Sequence, residues 1–242
     1  MGSLIRTTAE GVVDAAGQPV FDIVAQIGFD LSELENAPAA DVIIDFSNAA
    51  STERLLDYCD AVVAYVERTG AALVSGTTGY TPEQMDRLRE LGQNARVMHS
   101  GNYSIGIAAL RHLVAQATRE LPGFDCEIVE THHNQKVDAP SGTAKLLLDA
   151  VVEAEPEAGY HPVYGREGMC GARDPKEIGM HSLRGGTVAG VHEVSFFGQD
   201  EEVTLTHRAT SRQIFVNGAL AAAQKLVARE PGFYTFDQVM FA

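Results

Sequence analysis

Basic residues are scarce in this 242-residue sequence, which holds 18 lysines and arginines against 33 acidic residues. The resulting net charge of −15 repels phosphate backbones and argues against a nucleic-acid partner. A small anionic substrate is still compatible with this charge, because a local basic pocket can reverse the field. Tryptophan is absent, and that absence excludes nothing. The few cations near a candidate site therefore matter more than the total charge.

Cysteine is also rare, and long apolar runs are missing. Cys59, Cys126 and Cys170 are widely spaced, and no CxxC pair exists. This spacing supports neither a disulfide framework nor a structural zinc site, so we expect three reduced thiols in a cytoplasmic protein. No apolar run reaches the length of a membrane span, and no basic stretch precedes an apolar one at the N-terminus. We therefore expect neither a membrane partner nor a signal peptide.

Predicted strands alternate with predicted helices over the first hundred residues. Buried parallel strands read as continuous apolar runs, whereas helices repeat apolar residues every three to four positions. By these criteria strands fall at 23–30, 41–47, 71–75 and 96–99, and helices at 1–11, at 50–69 and after residue 81. Thr81, Pro82 and Gln84 form the capping signature of the last of these helices. The alternation predicts an α/β fold with a Rossmann-like doubly wound parallel sheet.

The pattern changes after residue 103. Helices are predicted at about 105–121 and 143–155, and strands at 126–131, 187–197 and 202–209. A turn at 198–200 joins the last two strands as a hairpin, so this part predicts an α+β domain with an antiparallel sheet. An alanine-rich helix at about 215–228 could return to the first domain. We expect one domain over 1–103, completed by 212–242, and a second over 104–211.

One polar segment, residues 130–145, concentrates the residues that could do chemistry. His132, His133 and Lys136 follow a predicted strand, and Ser141-Gly142-Thr143 opens a predicted helix. A helix N-terminus offers unpaired backbone N–H groups and a positive dipole end, which bind a carboxylate or a phosphate. Together with the nearby cations, this pattern indicates a pocket for an anionic substrate with a proton donor beside it.

Two other interpretations of the histidines stay open at this point. His132 and His133 could bind a metal, as in a metal-dependent hydrolase, or they could be ordinary loop histidines. No third ligand has a suitable spacing, and adjacent residues on a strand point to opposite faces. The combination of two histidines, a lysine and a Ser-Gly-Thr sequence favours the anion pocket, so no metal is expected.

Residues 130–144 closely resemble the signature of the dihydrodipicolinate reductase family. Residues 42–47, 76–80 and 101–106 resemble the cofactor-domain loops of that family, and residues 165–168, 178–179, 184–186, 190–192 and 211–212 resemble its later blocks. The similarity extends over nearly the whole chain. It implies a dinucleotide-binding domain at 1–103 with 212–242, and a substrate-binding and oligomerisation domain at 104–211 that forms a homotetramer through its sheet.

The resemblance implies the NAD(P)H-dependent reduction of 4-hydroxy-tetrahydrodipicolinate, a cyclic dicarboxylate, in lysine and diaminopimelate biosynthesis. His132 would be the general acid and Lys136 a second acid or charge stabiliser. The substrate carboxylates would be bound by His133, Lys136, Ser141, Gly142 and Thr143. A nearby cationic acid suits this reaction, because hydride addition builds negative charge on the substrate. The alternative is a catalytically impaired paralogue that binds a dicarboxylate metabolite.

The resemblance also implies where a nicotinamide cofactor would bind. The expected residues are Met1, Gly2, Asp30, Gly76, Thr77, Thr78, Ser100, Gly101, Asn102, Tyr103 and Arg212. Asp30 would follow the second strand of the family's sheet, where an acid binds the ribose hydroxyls. No Arg or Lys lies between Asp30 and Arg54 to accept a 2′-phosphate, so NADH is slightly favoured over NADPH.

The start of the chain departs from the family pattern. Family members begin with a strand and a glycine loop, and Met1-Gly2 looks like the end of that loop. The glycines of such a loop let the backbone approach the pyrophosphate. Two explanations stay open, a start codon assigned too far downstream and a truly shortened chain. For the chain as given, we expect weak cofactor binding and reduced stability.

Overall fold

The computed structural model describes residues 1–28, 31–47 and 52–242. The chain divides into two compact units, residues 1–104 with 213–242 and residues 105–212. Each unit contains one sheet with helices packed on it, so the predicted α/β fold class is confirmed. None of the described helices combines the length and the apolar character that crossing a membrane requires.

Over its described residues, the first unit has a parallel sheet in the order β1–β2–β3–β9. Its strands are β1 (Val42–Asp45), β2 (Ala72–Ser75), β3 (Arg96–His99) and β9 (Gly232–Tyr234). Its helices are α1 (Gly2–Glu10), α2 (Leu31–Glu35), α3 (Thr52–Thr69), α4 (Pro82–Leu91), α7 (Gln213–Leu226) and α8 (Phe236–Phe241). Every residue of β2 is buried, as expected for a strand with a neighbour on each side and both faces covered.

Helices hold this sheet through two apolar clusters. Leu73 of β2 and Val97 of β3 share one cluster with residues of α3 and α4, and neither strand residue is exposed. In the second cluster, Ile5 and Ala9 of α1 pack against α7. The predicted start of α4 is confirmed, because Thr81 and Gln84 form a reciprocal capping box around Pro82. The sheet is therefore fixed, with polar loops at the carboxyl ends of its strands.

The strand predicted at residues 23–30 is wrong over the part that the structure describes. Residues 23–28 form no strand, and residues 29–30 lie outside the described residues. A strand needs a neighbouring backbone to satisfy its N–H and C=O groups. Within the described sheet β1 pairs only with β2, and residues 22–27 line a cavity of about 210 Å³ together with α1 and β1. An apolar run without a pairing partner was therefore not enough to form a strand.

The second unit is built on a sheet in the order β5–β6–β4–β7–β8. Its strands are β4 (Asp125–His132), β5 (His161–Val163), β6 (Glu177–Arg184), β7 (Gly190–Phe197) and β8 (Glu202–Ala209), and its helices are α5 (Ile105–Glu120) and α6 (Gly142–Ala154). The sheet is mixed, whereas the sequence predicted an antiparallel one. Only β4, β7 and β8 pair antiparallel; β6 runs parallel to β4 and to β5. Helix α6 lies in the crossover from β4 to this side of the sheet, and residues 164–176 return the chain from β5 to β6.

Burial alternates along β4, and this alternation sets the face on which the last side chains of the strand lie. Cys126 and Ile128 are buried in the core formed with α5 and α6, whereas Glu127 lies on the opposite face. The same period of two places Glu130 and His132 on the core side, where β4 leaves the sheet. Glu130 and His132 therefore lie at the end of β4 on the side where α6 begins.

Candidate functional site

The candidate substrate site lies where β4 ends and α6 begins. The intervening loop closes on itself, because the Ser141 N–H donates to Oε1 of Glu130 over 3.2 Å. The His132 carbonyl accepts from the N–H of Gly185 at 2.9 Å, which ties the strand end to the turn after β6. The polar segment identified from the sequence is therefore folded back onto its own strand.

A buried carboxylate holds His132. Nδ1 of His132 lies 2.5 Å from Oε2 of Glu130, and the two side chains are 12% and 1% exposed. Burial alone would raise the pKa of Glu130, but hydrogen bonds from Arg184 and His132 outweigh it and lower that pKa to about 2. Glu130 is therefore ionised at neutral pH and can only accept hydrogen bonds.

Arg184, the last residue of β6, completes this cluster. It is paired in register with His132, and its guanidinium donates Nη1 to Oε2 and Nη2 to Oε1 of Glu130 at 2.9 and 2.8 Å. Nη2 also donates to the carbonyl of Asp138 at 2.7 Å. Such a two-pronged pair is both strong and directional, so Arg184 fixes the carboxylate and the loop together.

His192 of β7 and Ser141 lie beside the same cluster. Nε2 of His192 is 3.1 Å from Oγ of Ser141, and the rings of His132 and His192 meet edge to face at 5.2 Å. Burial, reinforced by the neighbouring His132, lowers the pKa of His192 to about 4, so this imidazole is neutral at pH 7. Oγ of Ser141 also accepts from the N–H of Ala144 at 3.1 Å, which makes Ser141 the buried N-cap of α6.

The other predicted substrate residues lie on this loop and on the first turn of α6. Nζ of Lys136 contacts Oδ1 of Asp138 at 2.7 Å, and this hydrogen bond holds the pKa of Asp138 below its usual range. His133 is half-buried, and its carbonyl accepts from the N–H of Lys136 at 3.1 Å. Gly142 is exposed and Thr143 half-buried in the first turn of α6. A cation and a helix N-terminus on one short loop form a site suited to a carboxylate.

The predicted cofactor residues of the first unit collect on two neighbouring loops. Residues 76–78 follow β2 and residues 100–103 follow β3, at the carboxyl ends of adjacent parallel strands, where ligands of such sheets bind. The carbonyl of Ser75 joins the loops, because it accepts from the N–H of Ser100 at 3.1 Å and from the hydroxyl of Tyr103 at 2.7 Å. Gly101 is exposed, with nothing within 4 Å of the space that a Cβ would take.

Asp45, at the end of β1, organises the first of these loops. Its Oδ2 accepts from the hydroxyls of Thr77 and Tyr80 at 2.9 and 3.1 Å, and Thr77 is fully buried. A Cβ at Gly76 would overlap the ring of Phe46, so a larger residue there would require this ring to move. Thr77 and Gly76 therefore shape the loop, whereas Thr78 is exposed on its surface.

The remaining predicted positions are less closely connected. Met1 packs on the apolar cluster of α1, and Gly2 is exposed at the first turn. Asp30 lies outside the described residues, and Arg212 is the exposed last residue of the second unit. Within the described part of the chain, no three metal-ligating side chains form a group.

The sequence did not single out Glu130, Arg184, His192, Asp138 or Asp45. A signal existed for Glu130, because it precedes His132 by two residues on a predicted strand and so shares its face. Arg184 and His192 join the site only through strand pairing, opposite His132 and Glu130 respectively. Their positions depend on the pairing register of β4 with β6 and β7, which a single sequence does not reveal.

The comparisons with known families identify the class of this protein as an oxidoreductase that binds a nicotinamide nucleotide. Family profiles for the N-terminus and the C-terminus of dihydrodipicolinate reductase match residues 11–103 and 106–240. The chain belongs to the dihydrodipicolinate reductase family. The two predictions from the sequence, membership of this family and oxidoreductase activity, are confirmed.

Individual relatives agree. A 4-hydroxy-tetrahydrodipicolinate reductase of Staphylococcus aureus strain JH9 is 46% identical over 200 residues, which cover 83% of this chain and 79% of that protein. The same enzyme of strain Newman is 45% identical over 206 residues, 85% of this chain and 81% of that protein. The solved dipicolinate-bound dihydrodipicolinate reductase of Paenisporosarcina sp. TG-14 has a TM-score of 0.68 at 22% identity, covering 93% of this chain and 84% of that one. The last comparison shows the shared fold.

Proposed function

We propose that this protein reduces 4-hydroxy-tetrahydrodipicolinate to tetrahydrodipicolinate with NADH or NADPH, in the biosynthesis of lysine and diaminopimelate. The observation that supports this most is the single loop between β4 and α6, which carries His132, Lys136 and a helix N-terminus together. The relatives' name and the family membership point to the same reaction.

In this proposal the loop binds a doubly charged substrate. Lys136, His133 and the first amides of α6 at Gly142 and Thr143 hold the two carboxylates. Ser141 contributes by capping α6, because its hydroxyl is already bonded within the protein. Nζ of Lys136 already donates to Asp138, so a substrate carboxylate either shares this ammonium group with Asp138 or competes for it.

His132 is the proposed proton donor, and Nε2 is its reacting atom because Nδ1 is bonded to Glu130. A bound nicotinamide nucleotide supplies the hydride. The residues that would hold it are the two loops at 76–78 and 100–103, with Met1, Gly2, Asp30 and Arg212. The loops fit such a group, since they leave open space at Gly101 and present polar side chains at a sheet's carboxyl edge.

Three finer features are also part of the proposal. NADH is favoured over NADPH, because no cation follows Asp30 before Arg54. By resemblance to the family, the protein works in the cytoplasm as a homotetramer formed through the mixed sheet. Sedimentation velocity of the purified protein measures the assembly, and a monomer would contradict it.

The reaction is tested by following NADH and NADPH oxidation with freshly generated 4-hydroxy-tetrahydrodipicolinate. We expect turnover with the wild type and a loss of about 10²-fold in kcat for His132→Gln, the usual contribution of a general acid. His161→Gln, at an exposed histidine that begins β5, is the matched control and should leave kcat unchanged. A lack of oxidation by the wild type, even when NADH and NADPH are raised to offset weak cofactor binding, would reject the function, and full activity of His132→Gln would reject the acid.

A further inference from the structure

Glu130 is buried among polar groups of three elements beside the proposed acid. We propose that Glu130, held by Arg184, is a positioning residue that fixes the His132 imidazole with its hydrogen on Nδ1, so that Nε2 delivers the proton. This inference rests on the proposed role of His132 as the acid. It assigns to Glu130 a purpose in the reaction beyond the stability of a buried ion pair.

The first step of the argument concerns the tautomer. An ionised carboxylate has no hydrogen to give, so the 2.5 Å contact with Nδ1 requires that the imidazole be the donor. The hydrogen of the neutral ring therefore stays on Nδ1, and only Nε2 gains or loses a proton. Without this partner, the neutral ring could place its hydrogen on either nitrogen.

The second step concerns orientation. Each oxygen of Glu130 accepts at least two hydrogen bonds: Oε2 from His132 and Arg184, and Oε1 from Arg184 and the N–H of Ser141. These donors come from β4, from β6 and from the N-cap of α6, so the carboxylate has little freedom to turn. The ring of His192, 5.2 Å away, limits rotation of the His132 ring from the side.

The third step concerns the other nitrogen. A Cβ placed on Gly190 would lie 3.2 Å from Nε2 of His132, so the glycine leaves this space open. Nδ1 of His132 is thus fixed by the carboxylate of Glu130, while β7 has a glycine, without a side chain, beside Nε2. A purely structural ion pair would not require this clearance beside Nε2.

The same strand supplies a matched comparison. Glu127, on the opposite face of β4, is bonded by Arg166, Arg173 and Nε2 of His181, the last at 2.9 Å. Burial would raise the pKa of Glu127, but these partners lower it to about 2, as for Glu130. Glu127 contacts none of the residues assigned to the substrate. The Glu127→Gln variant therefore loses a comparable ion pair but keeps every contact of His132, so it controls for the structural effect of Glu130→Gln.

The kinetic test compares Glu130→Gln with Glu127→Gln. We expect Glu130→Gln to lower kcat about 10²-fold, with KM for the substrate within about twofold of the wild type, because the acid is misplaced while the carboxylate site is kept. Glu127→Gln should change neither constant by more than about twofold. Equal kcat values for the two variants would overturn the proposal.

A spectroscopic test does not depend on activity. Long-range ¹H–¹⁵N spectra of the histidine-labelled wild type, with His132 assigned from His132→Gln, should show the neutral ring with hydrogen on Nδ1. Glu130→Gln should lose this preference, and Glu127→Gln should keep it. A wild-type ring with hydrogen on Nε2 would overturn the inference even if Glu130→Gln fails to fold. Full activity of His132→Gln would instead reject the proposed acid, whatever the tautomer.

Discussion

Lys136 is already bound to a carboxylate of its own loop, and this pairing bears on substrate affinity. Asp138 is 55% exposed, so its hydrogen bond with Lys136 contributes at most about 1 kcal/mol. Asp138→Asn should therefore free the ammonium group and lower KM for the dicarboxylate up to about fivefold. Steady-state kinetics measures the change, and an increased KM would show that Asp138 helps rather than competes.

Removing the ammonium group itself should have the opposite effect. Lys136→Gln loses a charge-assisted hydrogen bond to a substrate carboxylate, a loss of about 1.5–3 kcal/mol that corresponds to roughly 10–100-fold in KM. Lys145→Gln, at an exposed position of α6, is the control for a general change of charge. If both variants bind the substrate equally well, Lys136 does not contact it.

Single site residues could be predicted where they lie close together in the sequence. His132, Lys136 and the Ser-Gly-Thr sequence are close in sequence, and the structure keeps them on one loop. Arg184 and His192 are 54 and 62 positions from Glu130, and only the pairing of β4 with β6 and β7 brings them to it. Hydrophobic periodicity carries no information on such pairing, so these partners could not be inferred.

At the scale of elements, the N-cap of α6 links stability to binding. Ser141→Ala should lower the free energy of unfolding by about 1 kcal/mol, because the N–H of Ala144 loses its acceptor. It should also raise KM, because the proposed carboxylate site is the first turn of this helix. Thr81→Ala removes the equivalent cap of α4 and should lower stability without changing KM. Urea denaturation and kinetics on both variants separate the two effects.

Elements with local signals were predicted well, and those that depend on distant partners were not. Helix α1 ends before Gly11 and α4 begins after Thr81, as their capping residues indicated. Strand β6 was missed because Gly179 interrupts it and burial does not alternate along it. The glycine leaves room for the carboxylate of Glu127, which a Cβ there would overlap. The strand expected at 23–30 failed for the converse reason, an apolar pattern without a pairing strand.

For the whole molecule, the shifted groups of the second unit predict loss of stability in acid. The pKa of His192 is lowered from 6.5 to about 4, so the unfolded chain binds a proton that the folded one does not. The pKa values of Glu127 and Glu130 are lowered from 4.5 to about 2, so the stability they contribute is present above pH 4.5 and is lost as pH falls towards 2. Stability should therefore decline from about pH 6.5, and further below pH 4.5.

Circular dichroism during urea denaturation, repeated from pH 7.5 to pH 3, measures this decline. His192→Gln should flatten the part between pH 6.5 and 4, and Glu127→Gln the part below pH 4.5. The control is Glu193→Gln, which removes a carboxylate for which no comparable ion pair is found in the described structure. Identical pH profiles for all four proteins would contradict the assigned shifts.

The absence of a Cβ at Gly190 also decides which nitrogen of His132 a chemical label would modify. An acylating reagent needs an imidazole nitrogen with a free lone pair, and Nδ1 of His132 is engaged by Glu130. Modification is thus directed to Nε2, beside the glycine. Fragmentation of the labelled peptide should place one mass increment on His132 rather than on the adjacent His133, and this increment would count the accessible sites without an activity assay.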